Sequence, residues 1–79
     1  MSRAAPVPAH VIARRVRIGE QIREARRSRG LTQEAVALRI RMDRATYVRI
    51  ERGQAAALLD SLILIAEAIG VPLSHLVRD

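Results

Sequence analysis

The sequence contains no cysteine, no lysine, no phenylalanine and no tryptophan, and these absences narrow what the chain can do. Without cysteine there are neither disulfides nor thiolate metal sites, a composition that suits a reducing cytoplasm. Tyr47 is the only aromatic residue, so a mechanism that stacks single-stranded bases on aromatic platforms has nothing to stack on. The longest nearly apolar run, Ala55 to Ala66, is interrupted by Asp60 and Ser61 and falls short of the roughly 20 apolar residues that cross a bilayer. Met1 to Pro8 lacks the apolar segment of a secretion signal. No Gly-rich phosphate loop, nucleophile motif or carboxylate dyad is visible, and His10 and His75 have no ligand-spaced carboxylate beside them. The expectation is therefore a protein that is not an enzyme, with no metal, no cofactor and no small-molecule ligand.

What is present is arginine. All 14 basic side chains are arginine, set against 8 acids in 79 residues, for a net charge of +6. Arginine stays charged at any working pH, and its planar donor fork matches phosphates and guanine edges. The charge is uneven. Residues 1 to 52 hold 13 arginines against five acids, a net of +8; residues 53 to 79 hold Arg78 against Asp60, Glu67 and Asp79, a net of −2. The front is expected to face an anion and the rear to face protein. With stacking excluded, that anion is expected to be duplex DNA, placing the protein in the cytoplasm and on the nucleoid. A chain this short buries only roughly 60% of its unfolded surface, so it leans readily on a partner subunit.

Residues 1–9, with Pro6, Pro8 and small side chains, read as a flexible tail ahead of a domain over 10–79. Pro8 alternatively stands at the start of a helix, which tolerates its missing N–H. From about His10 to Arg29 the repeat Ile18, Ile22, Ala25 marks an amphipathic helix, weakened by Gly19 and closed by Gly30. Thr32 is placed to cap a second helix over Gln33 to Arg39, and Asp43 to cap a third, with Tyr47 and Ile50 inward, that ends at Gly53. Two helices joined by a three- or four-residue turn make a helix-turn-helix. Leu59, Leu62, Ile65, Ala66 and Ile69 write the inner face of a fourth helix, stopped by Gly70, and Pro72 opens a fifth through about Val77. No strand-like alternation is present. The expected fold class is all-α, with five helices.

The run from Leu31 to Gly53, LTQEAVALRIRMDRATYVRIERG, resembles the lambda-repressor and Cro-like helix-turn-helix family, also called the XRE family. Thr32-Gln33-Glu34 and Arg49-Ile50-Glu51-Arg52-Gly53 are its most specific parts, and the likeness runs on through Leu59, Leu62, Ile65, Ala66, Ile69, Gly70 and Val71. The resemblance implies a compact five-helix bundle, with the helix-turn-helix at helices 2 and 3, acting as a dimeric transcriptional regulator. It also implies that Gln33 bonds a phosphate, that Arg52 and Gln54 clamp the opposite strand, and that Glu51 pairs with Arg26 of helix one. Tyr47 stands where the family has isoleucine or valine, and is expected in the core with its hydroxyl at the rim.

With Tyr47 and Ile50 inward, Arg44, Ala45, Thr46, Arg49 and Arg52 fall on the outer faces of helix three. The first turn of a recognition helix enters the major groove. Arg44 and Arg49 are therefore the expected base readers, because arginine on guanine O6 and N7 is the commonest specific contact. Ala45 permits close approach or touches a thymine methyl. Arg39 and Arg41 add to the field, whereas Arg23, Arg27 and Arg29 read as a solvated helix face. By the same resemblance, Arg41 stands where the family commonly has a glycine with a left-handed backbone, and is either relaxed or retained for a phosphate.

Ala57, Ser61, Leu64 and Ala68, with Leu58 on their edge, form a second apolar stripe expected to be a homodimer surface. The reading is a sequence-specific duplex-DNA-binding regulator, dimeric, on a near-palindromic operator. Repression is the expected outcome, since 79 residues leave no effector domain. The alternative is a protein-interaction module, antitoxin-like or adaptor, that has kept the fold.

Overall fold

The computed structural model describes residues 6–79, so the expected tail lies in part outside the described residues. Pro8, at φ −59° and ψ 148°, is the N-cap of α1 (Ala9–Ser28), and its carbonyl accepts from the N–H groups of Val11 and Ile12. There the missing N–H leaves no helical bond unmade. Four further helices follow: α2 (Gln33–Arg39), α3 (Arg44–Glu51), α4 (Leu59–Ile69) and α5 (Leu73–Leu76). No strand is present among the described residues, and the architecture is all-α. Among them no helix is long and apolar enough to cross a membrane.

Local chemistry sets the ends of the two central helices. Thr32 Oγ1 accepts from the Ala35 N–H at 3.0 Å and Asp43 Oδ2 from the Thr46 N–H at 3.3 Å. Each bond satisfies an otherwise orphaned amide and contributes about 1 kcal/mol. α1 to α4 are each followed by a left-handed residue: Gly30, Arg41, Gly53 and Gly70. Arg41 is the one that is not glycine; at φ 54° the turn has kept the conformation that glycine favours.

The core gathers Ile22 and Ala25 from α1, Val36 and Ala37 from α2, Tyr47 and Ile50 from α3, Ile65, Ala66 and Ile69 from α4, and Leu76 from α5. Leu59, expected inward, is 64% exposed. At 100° per residue it sits on the edge of the arc centred by Leu62, Ile65, Ala66 and Ile69, and as the first residue of α4 it overhangs that arc. Gly19 does not interrupt α1. It marks the crossing of α1 over the end of α3, where an added Cβ would lie 2.8 Å from the Ile50 carbonyl oxygen and closer still to that of Glu51.

Arginines fasten the bundle at its helix ends. Arg15 Nε donates to the Gly53 carbonyl at 2.9 Å, Arg29 Nη2 to Gly70 at 3.0 Å, and Arg39 Nη1 to Ala68 at 2.8 Å. Arg14 reaches the Arg78 carbonyl at 2.8 Å and pairs with Asp79 at 3.1 Å. Helix C-termini carry orphaned carbonyls and the negative end of the dipole, so a guanidinium there is favourable on both counts. Arg39 is thus tied to α4 rather than adding to the anion-facing field.

Candidate nucleic-acid interface

α3 is an eight-residue rod with one buried and one open side. Tyr47 and Ile50 face the core, while Arg44, Ala45, Arg49 and Arg52 are exposed. The buried side is anchored by Glu51, a residue 3% exposed. It accepts from Arg26 Nε at 2.6 Å, Arg26 Nη2 at 3.0 Å, Gln33 Nε2 at 3.1 Å and the Tyr47 hydroxyl. Arg26 spends its remaining fork on the Leu31 carbonyl at 2.9 Å. α1, the start of α2 and α3 therefore share one charged node, which sets the angle at which α3 stands.

Burial alone pushes the Glu51 carboxyl up, but the bonds from Arg26, Tyr47 and Gln33 outweigh it and hold the group below its ordinary value. The bond to Glu51 strengthens the protonated form of Arg26 in turn. Tyr47 is pushed up, first by burial and then by its bond to Glu51. Its hydroxyl does not reach the rim as expected. The side chain is fully buried, because the carboxylate one helical turn ahead offers an acceptor inside.

The open side of α3 is a groove of about 480 Å³ lined by Arg44, Ala45, Val48, Arg49, Arg52 and Gln54, with Gln33 at its edge. A second open cleft, of about 590 Å³, shares Gln33, Arg44 and Arg52 and extends to Arg23 and Arg27 of α1. Six of the eight expected DNA-contacting residues are thus gathered on one surface. Arg41 and Thr46 line neither cleft; Arg41 is exposed in the turn and Thr46 is half-buried. Gln33 stands at the expected place, but its amide nitrogen is engaged with Glu51. Sequence reasoning did not single out Val48, and it placed Arg23 and Arg27 on a solvated helix face, which fits their exposure but not their shared place in the second cleft. Their spacing from Arg26, three residues before and one after, was the available signal.

Among the described residues, Arg23, Arg27, Arg44, Arg49 and Arg52 make no side-chain hydrogen bond or ion pair with the protein. Five unneutralised guanidinium groups on one surface attract a polyanion. Elsewhere on the surface, α4 and its N-cap leave Leu58 at 74% and Leu64 at 44% exposure, beside exposed Leu59 and Ile63. Ala57, Ser61 and Ala68 are half-buried, and both alanines pack against the core.

The helix-turn-helix family profile matches residues 22–76. Among solved structures, the restriction-modification controller protein C.AhdI from Aeromonas hydrophila is 33% identical, with a TM-score of 0.78 over 81% of this chain and 97% of that one. A hypothetical transcription factor, NHTF, from Neisseria is 26% identical, with a TM-score of 0.75 over 96% of this chain and 86% of that one. No curated protein matches the sequence.

Proposed function

The chain belongs to the lambda-repressor and Cro-like (XRE) helix-turn-helix family of DNA-binding regulators, which are not enzymes, and we propose that it is a dimeric, sequence-specific repressor of transcription. The observation that carries this reading is the shared exposure of Arg44 and Arg49 on α3, in one open groove and with no protein partner. In the major groove these two side chains read guanine edges, while Ala45 lets the helix approach closely. Gln33 on one side, and Arg52 and Gln54 on the other, hold the flanking phosphates, with Arg41 and Thr46 adding contacts at the periphery.

Two copies joined through α4 by Leu58, Leu64 and the flanking Ala57, Ser61 and Ala68 place two recognition helices on half-sites about 10 base pairs apart. Leu59 and Ile63 extend that apolar surface. The operator is accordingly near-palindromic. Acting on cytoplasmic DNA, the protein represses by occupying its site; a controller role such as that named for the Aeromonas hydrophila relative fits the same geometry.

Selection of bound duplexes from a random pool tests the reading. A single near-palindromic sequence class should emerge, and Arg44→Ala and Arg49→Ala should each lose about 1–3 kcal/mol of discrimination at one base position. Equal affinity for every duplex refutes sequence reading. Leu64→Asp should give monomers in analytical ultracentrifugation, and a persistent dimer refutes the α4 surface.

A further inference from the structure

We propose that Arg23 and Arg27 of α1 clamp the phosphates of one DNA strand, carrying the footprint beyond the helix-turn-helix; the proposal rests on the DNA-binding reading above. The two arginines are one turn apart on α1, with side chains about 5–6 Å from each other at the Cβ atoms. Both are exposed, and both line the cleft that reaches Gln33, Arg44 and Arg52. Within that cleft Arg26 and Glu51 neutralise each other, leaving Arg23, Arg27, Arg44 and Arg52 against the single exposed acid Glu34.

The alternative use of such residues is to pair along their own helix. Glu20 and Glu24 stand three residues before Arg23 and Arg27, the right spacing for such pairs, yet neither pair is formed. Nor does either guanidinium reach a carbonyl, as Arg29 does two residues further on. Both also line a neighbouring cleft with Glu20 and Glu24 without bonding either, so their donor forks are open to an anion outside the protein. The first cleft shares Gln33, Arg44 and Arg52 with the groove on the face of α3, so a backbone that flanks α3 in the major groove comes within reach of α1 beside the start of α2.

The test is the salt dependence of binding to the selected duplex and to a random one, for wild type and for Arg23→Gln, Arg27→Gln and their double variant. Arg17→Gln, on the same helix but outside this cleft, controls for net charge. Each clamp variant should reduce the slope of log affinity against log salt by about 1, and the double variant by about 2, on both duplexes. Discrimination between the duplexes and the melting temperature should not move. An unchanged slope in the double variant, or an equal change in Arg17→Gln, overturns the clamp while leaving the DNA-binding reading intact. A wild type that binds no duplex overturns both.

Discussion

The node formed by Arg26, Glu51 and Tyr47 should dominate stability, and a mutant cycle measures by how much. A chain of 79 residues has a total stability of about 4–12 kcal/mol. Arg26→Met leaves the carboxylate of Glu51, a residue 3% exposed, with only the Gln33 amide and the Tyr47 hydroxyl. Stranding a buried charge in this way costs about 3–5 kcal/mol. Glu51→Met strands the Arg26 guanidinium with one carbonyl, at a similar cost. Each single variant should melt at least about 12 °C lower, taking about 4 °C per kcal/mol as the smallest conversion for a domain of this size. The double variant removes both charges and leaves chiefly the Tyr47 hydroxyl without an acceptor, a residual loss of about 1–3 kcal/mol. Adding Tyr47→Phe removes that loss as well, and the triple variant should return to within about 1 kcal/mol of wild type. Urea denaturation at neutral pH gives all four values, and the coupling between positions 26 and 51 should be at least about 3 kcal/mol. A coupling below about 1 kcal/mol, the value of an exposed pair, would falsify the reasoning.

The same node makes stability depend on pH. Because Glu51 is held below its ordinary value, its contribution is complete above the unfolded carboxyl pKa of about 4.3 and is lost as pH falls through the lower folded value. The urea midpoint should therefore drop below about pH 4.3, and drop less in the triple variant. Gly19→Ala should destabilise by about 1–3 kcal/mol, since the methyl meets the Ile50 carbonyl oxygen at 2.8 Å. Helix propensity alone predicts a gain of about 1 kcal/mol, so a more stable variant refutes the close crossing of α1 and α3. Arg41→Gly relieves the φ of 54° and should add about 1 kcal/mol while weakening DNA binding. Unchanged affinity removes Arg41 from the phosphate contacts.

The elements whose ends depend on neighbours in the chain were legible in the sequence. Thr32 and Asp43 cap amides three residues ahead, so the starts of α2 and α3 follow from local composition. The spacing of Tyr47 and Ile50 likewise settles which side of α3 is open, and with it Arg44, Ala45 and Arg49. Distances between helices are another matter. Arg27 and Arg29 lie two residues apart at the end of α1, yet one lines the cleft beside α3 and the other bonds Gly70, 41 residues away. The helical period puts the two on opposite sides of α1, but which neighbour each one meets is set by how α1 packs against α3 and α4. The Tyr47 hydroxyl was misplaced for a related reason: the acceptor that draws it inward is buried by Arg26, from another helix.

The absence of lysine follows from the two duties that the arginines share. Among the described residues six of them, Arg14, Arg15, Arg26, Arg29, Arg39 and Arg78, end on backbone carbonyls. Arg26 makes the case most clearly, binding both Glu51 oxygens and the Leu31 carbonyl with three separate N–H groups in one plane. An ammonium is a compact, strongly hydrated point charge with no such fork, and it loses its proton far more readily when buried. On the proposed reading, the exposed arginines of α3 use the same fork on a different partner, since guanine presents two acceptors side by side. In a core of one Tyr and no Phe or Trp, little apolar volume is available to hold five helices together. Planar, many-donor side chains that bridge helix ends supply part of what that small core lacks, and the proposed DNA contacts turn the same chemistry outward.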